Sequence, residues 1–147
     1  MGTISKQVFF EVPIISVWTI WSDVEKTPDW VEGVKESKIL SSVREGKGLE
    51  WEEKCAMGGQ IVQMQHEVRE WEEKKKTVYH TKLPMGATME TSAEFREPAQ
   101  GQTELNVDIS WNLGILSMMI SDEKFEEMID KAFSKTLARL KNKSEQE

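Results

Sequence analysis

The residues best suited to chemistry are a carboxylate and an imidazole, Glu53 and His66, in a stretch that is otherwise apolar on one face. Gly58-Gly59 separates two alternating segments, which predicts a β-hairpin whose two-residue turn needs positive φ. In that register Trp51 lies opposite His66. Glu53 lies opposite Met64, and directly opposite residues share one face of the sheet. A covered face that holds both a carboxylate and an imidazole is more typical of a pocket than of a dry core.

Each of these two side chains has a functional and an ordinary interpretation. His66 could anchor or protonate a ligand carbonyl, or it could be a histidine that is hydrogen-bonded in the core or at the sheet edge. A dry Glu53 would have a raised pKa and could act as an acid, whereas an open strand end or a nearby lysine would make it an ordinary carboxylate. If the protein is an enzyme, His66 and Glu53 are therefore the candidate catalytic residues.

The sequence leaves open which residue of the following strand faces inward. Tyr79 and His80 cannot both do so, because neighbouring residues of a strand point to opposite faces. An inward His80 could lie near His66, but two histidines without a well-placed third ligand are thin support for zinc. We expect no metal and no other cofactor. Cys55 has apolar neighbours, which predicts an inert buried thiol.

The elements before the hairpin are a strand and two short helices. Alternation over Ile4 to Val12 predicts the first strand, and Pro13 favours a short helix directly after it. Thr27-Pro28 is expected to cap and begin a second short helix over about Asp29 to Gly33. A weak strand is expected around Val34 to Val43, ahead of the hairpin.

Three more strands are expected after the hairpin, at about Thr77 to Leu83, Ala87 to Arg96 and Thr103 to Trp111. Pairing the last two strands places Met89 and Thr91 on an apolar face and charged side chains on the other. Two hairpins interpreted independently thus agree on a sheet that is apolar on one side only. That agreement is the main support for the predicted fold.

A long C-terminal helix is predicted to cover the apolar face of the sheet. Ser121 is a good N-cap and is followed by acidic residues that suit the helix dipole. Phe125, Met128 and Ile129 begin an apolar stripe that spans about 20 residues. An antiparallel sheet with one apolar face has to bury it, and this is the only long stripe available. The charged tail, Lys141 to Glu147, is expected to be frayed.

Composition limits the classes of partner. The 147 residues carry a formal net charge of −7 and fit one domain over residues 1–147. The acidic balance argues against nucleic acid and against an anionic membrane surface. No apolar run approaches the roughly 20 residues of a spanning helix, so we expect no integral membrane association. The start of the chain lacks the layout of a signal peptide and the single cysteine excludes an internal disulfide, which predicts a cytoplasmic protein. The sequence leaves the oligomeric state open.

The order of elements and a set of short motifs resemble the START-like or polyketide cyclase/dehydrase-like superfamily, which has the helix-grip fold. The residues that carry the resemblance are Pro13 with Val17-Trp18 and Asp23, Pro28-Asp29-Trp30, Gly48, Gly101-Gln102-Thr103-Glu104-Leu105 and the amphipathic C-terminal helix. The resemblance covers about residues 8–140. It implies an α+β fold in which a curved seven-stranded antiparallel sheet grips the C-terminal helix around an internal cavity. Members mostly bind hydrophobic molecules, and some are aromatase/cyclases.

The leading hypothesis is a non-catalytic binder or carrier of a small hydrophobic ligand, such as a lipid, a polyketide or another apolar metabolite. The residues expected to contact the ligand are Trp51, Glu53, Met64, His66, Met89, Thr91, Phe125, Met128 and Ile129. Apolar walls would supply affinity, and Glu53, His66 or Thr91 would orient one polar end.

The alternative is a polyketide cyclase or dehydratase in which His66 or Glu53 moves a proton while the cavity folds the substrate. No catalytic motif of the superfamily can be carried over onto a position of this chain. A third class, an interaction module, is disfavoured because the outer face of the sheet carries no large apolar patch.

Overall fold

Seven antiparallel strands form one sheet in the order β1-β7-β6-β5-β4-β3-β2. The computed structural model describes residues 1–146. The strands are Gly2–Phe10 (β1), Val34–Ile39 (β2), Glu50–Met57 (β3), Gln60–Glu72 (β4), Lys76–Lys82 (β5), Thr88–Arg96 (β6) and Thr103–Asn112 (β7). The helices are Ile14–Trp21 (α1) and Asp122–Glu145 (α2), with 3-10 helices at Val24–Asp29, Pro84–Gly86 and Gly114–Met118. The predicted α+β helix-grip fold is confirmed.

The registers predicted for both hairpins are those of the structure. Across β3 and β4, Trp51 pairs with His66, and Glu53 is in register with Met64. Across β6 and β7, Thr91 pairs with Ile109 and Met89 with Trp111. The inward residues of these strands are mostly buried and the outward ones mostly exposed. The two-faced sheet therefore follows from alternation alone.

Helix α2 covers the apolar face and is longer than the stripe predicted. The side chain of Ser121 accepts a hydrogen bond from the backbone N–H of Lys124 (3.2 Å), as expected of an N-cap. The expectation of a frayed tail from Lys141 is wrong for the described residues, because α2 continues to Glu145. Lys141 Nζ donates to the carbonyl of Phe9 (2.7 Å), which ties the last turns of the helix to the end of β1. Residue 147 lies outside the described residues.

The second short helix is displaced from its predicted position. It is a 3-10 helix at Val24–Asp29, with Pro28 inside it, and not a helix over Asp29 to Gly33. Thr27 does not cap a helix. Its hydroxyl instead donates to the carboxylate of Glu53 (2.7 Å), so the local cap signal is overridden by a tertiary hydrogen bond.

Strand β2 ends at Ile39 and not near Val43 as expected. The reason lies in Ser41, whose side-chain oxygen accepts a hydrogen bond from the backbone N–H of Glu50 (2.9 Å). The Ser41 side chain thereby takes the place of a backbone carbonyl as the partner of the Glu50 N–H, and the pairing of β2 with β3 ends.

Strand β5 places Tyr79 inward and His80 outward, which answers the question that the sequence left open. Tyr79 pairs with Thr91 on β6 and is buried, whereas His80 is only half-buried. On β4 the register shifts between Val68 and Glu70, which indicates a β-bulge. Because an extra residue reverses which positions face inward, the alternation seen before the bulge does not predict the orientation of residues after it. Within the described residues, no helix is both long enough and apolar enough to cross a membrane.

The turn between β3 and β4 generates a stability prediction. Gly58 and Gly59 have φ of +59° and +83°, the two positive angles of a type I′ turn. Gly59→Val is expected to lower the free energy of unfolding by about 1–3 kcal/mol, because a β-branched residue would be held at positive φ. Among the described residues nothing lies within 4 Å of a Cβ added there, so strain and not a clash is responsible. Urea unfolding is the measurement, with Gln60→Val, at an exposed strand position, as the matched control. An unchanged midpoint for Gly59→Val would contradict the turn.

Candidate functional site

A cavity of about 150 Å³ lies between the apolar face of the sheet and α2. Five strands, the end of α1, the segment around the first 3-10 helix and the middle of α2 contribute to its wall. Seven of the nine residues predicted to contact a ligand line this cavity: Trp51, Glu53, Met64, His66, Met89, Thr91 and Ile129. Most of the wall is apolar or aromatic, which suits an apolar occupant.

Two of the nine predicted residues, Phe125 and Met128, do not line the cavity. Phe125 is buried and packs against Trp111, with ring centroids 5.3 Å apart. Met128 lies beside Gly58 in an adjoining groove, which shares Cys55, Met57 and Ala132 with the cavity. The apolar stripe of α2 is longer and wider than the cavity, so a place on the stripe does not establish a place in the wall.

The polar part of the wall is a hydrogen-bonded network centred on Glu53. His66 Nε2 lies 2.8 Å from Oε1 of Glu53 and donates to it, because a carboxylate can only accept. Oε2 of Glu53 accepts from the hydroxyl of Thr27 at 2.7 Å. The same oxygen accepts from Nε1 of Trp51 at 3.1 Å. On the other side of the ring, His66 Nδ1 lies 2.6 Å from the hydroxyl oxygen of Thr81.

The network determines the protonation state of Glu53. Burial on its own raises the pKa of this carboxyl, but the hydrogen bond and charge of His66 and the hydrogen bonds of Thr27 and Trp51 outweigh burial. The pKa of Glu53 therefore lies below its usual value of 4.5, and the side chain is a carboxylate at neutral pH. The expectation that a dry Glu53 would have a raised pKa is wrong, because a sequence does not show how many donors reach the carboxylate.

Aromatic packing holds the imidazole in place. The rings of Trp51 and His66 stack with centroids 4.7 Å apart and planes inclined by 30°. Trp51 and Tyr79 make a T-shaped contact, with ring centroids 5.0 Å apart. His66 therefore has a packed neighbour on one side and hydrogen bonds at both nitrogens, which fixes its orientation.

Two residues of the wall carry a buried polar atom without a well-oriented hydrogen bond among the described residues: Nε1 of Trp30, and the hydroxyl of Tyr79, which the side chains of Thr77 and Trp21 approach. A third buried oxygen, Oε2 of Glu32, lacks a well-oriented hydrogen bond but lies 2.8 Å from the guanidinium of Arg139. Burial raises the pKa of Tyr79 well above its usual range, so its hydroxyl keeps its proton at neutral pH.

Cys55 also lines the cavity, and its thiol is unreactive in character. Burial raises its pKa to about 11, and the negative charges of Glu53 and Glu32 add to that effect. At neutral pH the nucleophilic thiolate is therefore scarce. In the part of the chain that the structure describes, no three His, Cys, Asp or Glu side chains are grouped so as to hold a metal ion.

The residues that sequence reasoning missed belong mainly to the network and to the aromatic wall. Thr27 carries a helix-cap signal that conceals its bond to Glu53. Thr81 and Tyr79 stand two residues apart on β5 and share its inner face. Knowing that one of them faces inward would therefore have predicted that the other does too. Trp30 entered the sequence analysis only as part of the family resemblance, and the structure places it in the cavity wall.

Comparisons with known proteins agree with this architecture. The family model described as polyketide cyclase / dehydrase and lipid transport matches residues 1–145. No curated protein matches the sequence. The Zhui aromatase/cyclase from Streptomyces sp. R1128 has a TM-score of 0.83 at 15% identity, over 98% of this chain and 93% of that chain. A START superfamily protein from Mycobacterium smegmatis has a TM-score of 0.79 at 18% identity, over 98% of this chain and 97% of that chain. The di-domain aromatase/cyclase StfQ of the steffimycin biosynthetic pathway has a TM-score of 0.75 at 12% identity, over 97% of this chain and 45% of that chain. At these identities the structural likeness establishes the fold.

The lowered pKa of Glu53 generates a prediction about acid stability. A carboxyl whose folded pKa is below its unfolded value stabilises the protein above about pH 4.5, and that contribution is lost as pH falls through the folded pKa. Glu53→Gln places an amide N–H₂ among donors and is expected to lower the free energy of unfolding near neutral pH by about 1–3 kcal/mol. The difference from the native protein should shrink on acidification to about pH 3.5.

Urea unfolding at the two pH values measures this difference. Glu52→Gln is the matched control, because Glu52 is the adjacent residue on the outer face of β3 and, among residues 1–146, its carboxylate accepts only from Gln63 (2.8 Å). Glu52→Gln should change the free energy of unfolding by no more than about 0.5 kcal/mol at both pH values. If the difference in the free energy of unfolding between Glu53→Gln and the native protein grew at low pH, that result would contradict the lowered pKa of Glu53.

Proposed function

We propose that this chain, which belongs to the polyketide cyclase/dehydrase and lipid transport family, binds a small hydrophobic molecule in the cavity between the sheet and α2. One observation carries the proposal: the wall is mainly apolar, and the buried carboxylate of Glu53 in it receives hydrogen bonds from three protein side chains. Apolar area removed from water supplies the affinity, at roughly 25 cal/mol per Å². Trp51, Met64, Met89 and Ile129 are the proposed apolar contacts, and methionine suits a wall that adapts to varied ligands.

The size of the cavity bounds the ligand. A volume of about 150 Å³ is well below that of the pockets that take drug-sized molecules. Apolar cavities of about this volume take a molecule the size of benzene. We therefore infer a ligand, or the buried part of a longer ligand, of about one or two rings.

The second candidate function is a cyclase or dehydratase that uses His66 or Glu53 as acid or base. The observation in its favour is that a hydrogen-bonded imidazole and carboxylate line the same cavity. His66 Nε2 is bonded to Glu53, so it could donate a proton to a substrate only after that bond had broken. Oε1 of Glu53 has one partner among the described residues and a second lone pair, so the carboxylate could accept a proton with the network intact. Binding is the leading proposal because it needs only the apolar wall.

Ala132→Trp tests the cavity as the binding site. Ala132 lies on α2 and lines the cavity, so a tryptophan there should occupy its volume and weaken binding of the apolar probe α-methylstyrene by about tenfold or more. Ala138→Trp, at an exposed position of the same helix, is the matched control and should change binding by less than about twofold. Calorimetric titration measures both affinities, and circular dichroism establishes that each variant is folded. Undiminished binding by a folded Ala132→Trp would place the ligand elsewhere.

His66→Gln separates the binder from the enzyme. Native mass spectrometry of the purified protein detects co-purifying small molecules, and the variant is produced in the same host. A binder should retain the same molecule in both proteins, at lower occupancy in the variant. A dehydratase would instead accumulate its substrate in the variant, heavier than the product by the mass of one water. That mass difference would favour the enzyme over the proposal.

A further inference from the structure

A groove of about 170 Å³ adjoins the cavity at the protein surface, between α2 and the turn that joins β3 to β4. The turn and the helix approach closely there, since a Cβ added at Gly58 would lie 3.8 Å from Sδ of Met128. The groove and the cavity share five lining residues: Glu32, Cys55, Met57, Ile129 and Ala132. The groove is therefore where a ligand too long for the cavity would extend towards solvent.

The cavity encloses only part of a longer ligand, and its wall is unsuited to an anion. Its volume of about 150 Å³ limits the enclosed part to about one or two rings. Within residues 1–146 no lysine or arginine lines the cavity, whereas the carboxylates of Glu32 and Glu53 do. A negative charge moved into that wall would lose its water without gaining a cation, which is costly. A negatively charged end of a ligand therefore has to lie outside the cavity.

The groove, in contrast, carries two cations, Lys131 and Lys135, which we call the groove lysines. Both line the groove from α2, and both side chains are exposed. They stand four residues apart, so they project from one face of the helix with Cβ atoms about 5–6 Å from each other. Two ammonium groups at that spacing offer one cation to each oxygen of a carboxylate.

The carboxylates near the groove lysines have other partners. Glu32 is the acidic residue that lines the groove in the described part of the chain, and the guanidinium of Arg139 lies 2.8 Å from its Oε2. Asp130, which precedes the first groove lysine in the chain, pairs with Lys6 on β1. Among residues 1–146, neither groove lysine has a carboxylate oxygen within 4 Å of its ammonium nitrogen. The groove is thus positively charged on a chain whose formal net charge is −7.

Two like charges at this spacing carry a small energetic cost. Cations at positions i and i+4 of a helix repel each other and slightly destabilise the helix. An anion bound between the groove lysines would replace that repulsion by attraction. In the open groove the anion also stays partly hydrated, so it avoids the full desolvation cost of a buried ion pair.

We propose that Lys131 and Lys135 form a subsite for the carboxylate end of a ligand whose apolar end occupies the cavity. The ligand is then an amphipathic carboxylic acid, with a body of about one or two rings and a short chain that runs along Met57 and Met128. This inference rests on the proposed function and adds to it the chemical class of the ligand and two specificity residues.

The test compares three probes of nearly the same shape. The probe 4-phenylbutyrate carries a carboxylate, 4-phenylbutanamide is its neutral counterpart, and 4-phenylbutylamine carries a positive charge. Calorimetric titration is expected to show that the native protein binds the carboxylate about 3- to 10-fold more tightly than the amide, with the amine the weakest. Raising the salt concentration from about 0.05 M to about 0.5 M should reduce that preference, because exposed ion pairs are screened.

Replacing both groove lysines removes two charges at exposed positions of α2. Lys131→Gln combined with Lys135→Gln should lower the ratio of the carboxylate affinity to the amide affinity to about twofold or less, with amide binding unchanged. Lys131→Arg combined with Lys135→Arg should retain the preference, because both positive charges remain. The matched control is Lys124→Gln combined with Lys143→Gln, which removes two exposed charges of the same helix that, within residues 1–146, do not line the groove. The control should keep a preference of about threefold or more.

Three results would overturn the inference. The first is an unchanged preference for the carboxylate in the glutamine variant of the groove lysines, and the second is tighter binding of the amine than of the carboxylate by the native protein. The third concerns Ala132→Trp, which should weaken binding of both the carboxylate and the amide by about tenfold or more. Carboxylate binding that Ala132→Trp leaves intact would show only a surface attraction, with the body of the probe outside the cavity.

The amide distinguishes the inference from the function on which it rests. If the native protein bound the amide and the carboxylate equally, and Ala132→Trp abolished both, the carboxylate subsite would be overturned while the hydrophobic-ligand cavity would still be supported. If none of the three probes binds and α-methylstyrene does not bind either, both proposals fail.

Discussion

The buried carboxylate of Glu53 is the group on which the arrangement of the cavity wall depends. A charge that leaves water must be met by donors, or it destabilises the fold by several kcal/mol. Here the donors come from β3, from β4 and from the first 3-10 helix, and His66 extends the network to Thr81 on β5. The position of that short helix is part of the same requirement, since Thr27 uses its hydroxyl for the carboxylate and not for a cap.

The wall of the cavity therefore contains two kinds of polar group. The network around Glu53 and His66 is complete within the protein, so it presents little unsatisfied polarity to an occupant. Nε1 of Trp30 and the hydroxyl of Tyr79, in contrast, are buried within the packing and have almost no accessible surface. A mainly apolar wall whose buried Glu53 receives its hydrogen bonds from neighbouring side chains is suited to holding a neutral molecule. Donation of a proton by His66 would require its bond to Glu53 to break first, whereas binding needs only the apolar wall, which is the physical reason to place binding ahead of catalysis.

The cavity itself reflects how α2 meets the sheet. Large buried side chains, Phe125 near the start of the helix and Leu140 near its end, pack against the core with 1% and 0% exposure. Between them the helix contributes Ile129, Ala132, Phe133 and Thr136 to the wall of the cavity. A helix that packs at both ends, with Ala132 and Thr136 among the residues of its middle, leaves space above the sheet. The same stripe that predicts the helix thus contains both packing residues and cavity residues.

Alternation and apolar periodicity in the sequence determined the strands, both hairpin registers with their one apolar face, the covering helix and the inward placement of Glu53 and His66, while the family resemblance supplied the single seven-stranded sheet. These features depend on local spacing, because strand neighbours and helix turns are set within a few residues. Only the tertiary structure decided which atoms meet: that Thr27, Trp51 and His66 all reach Glu53, that the bulge in β4 accompanies an inward Tyr79, and that Phe125 and Met128 pack outside the cavity. Those outcomes depend on distances between elements far apart in the chain, and one-dimensional periodicity contains no information about such distances.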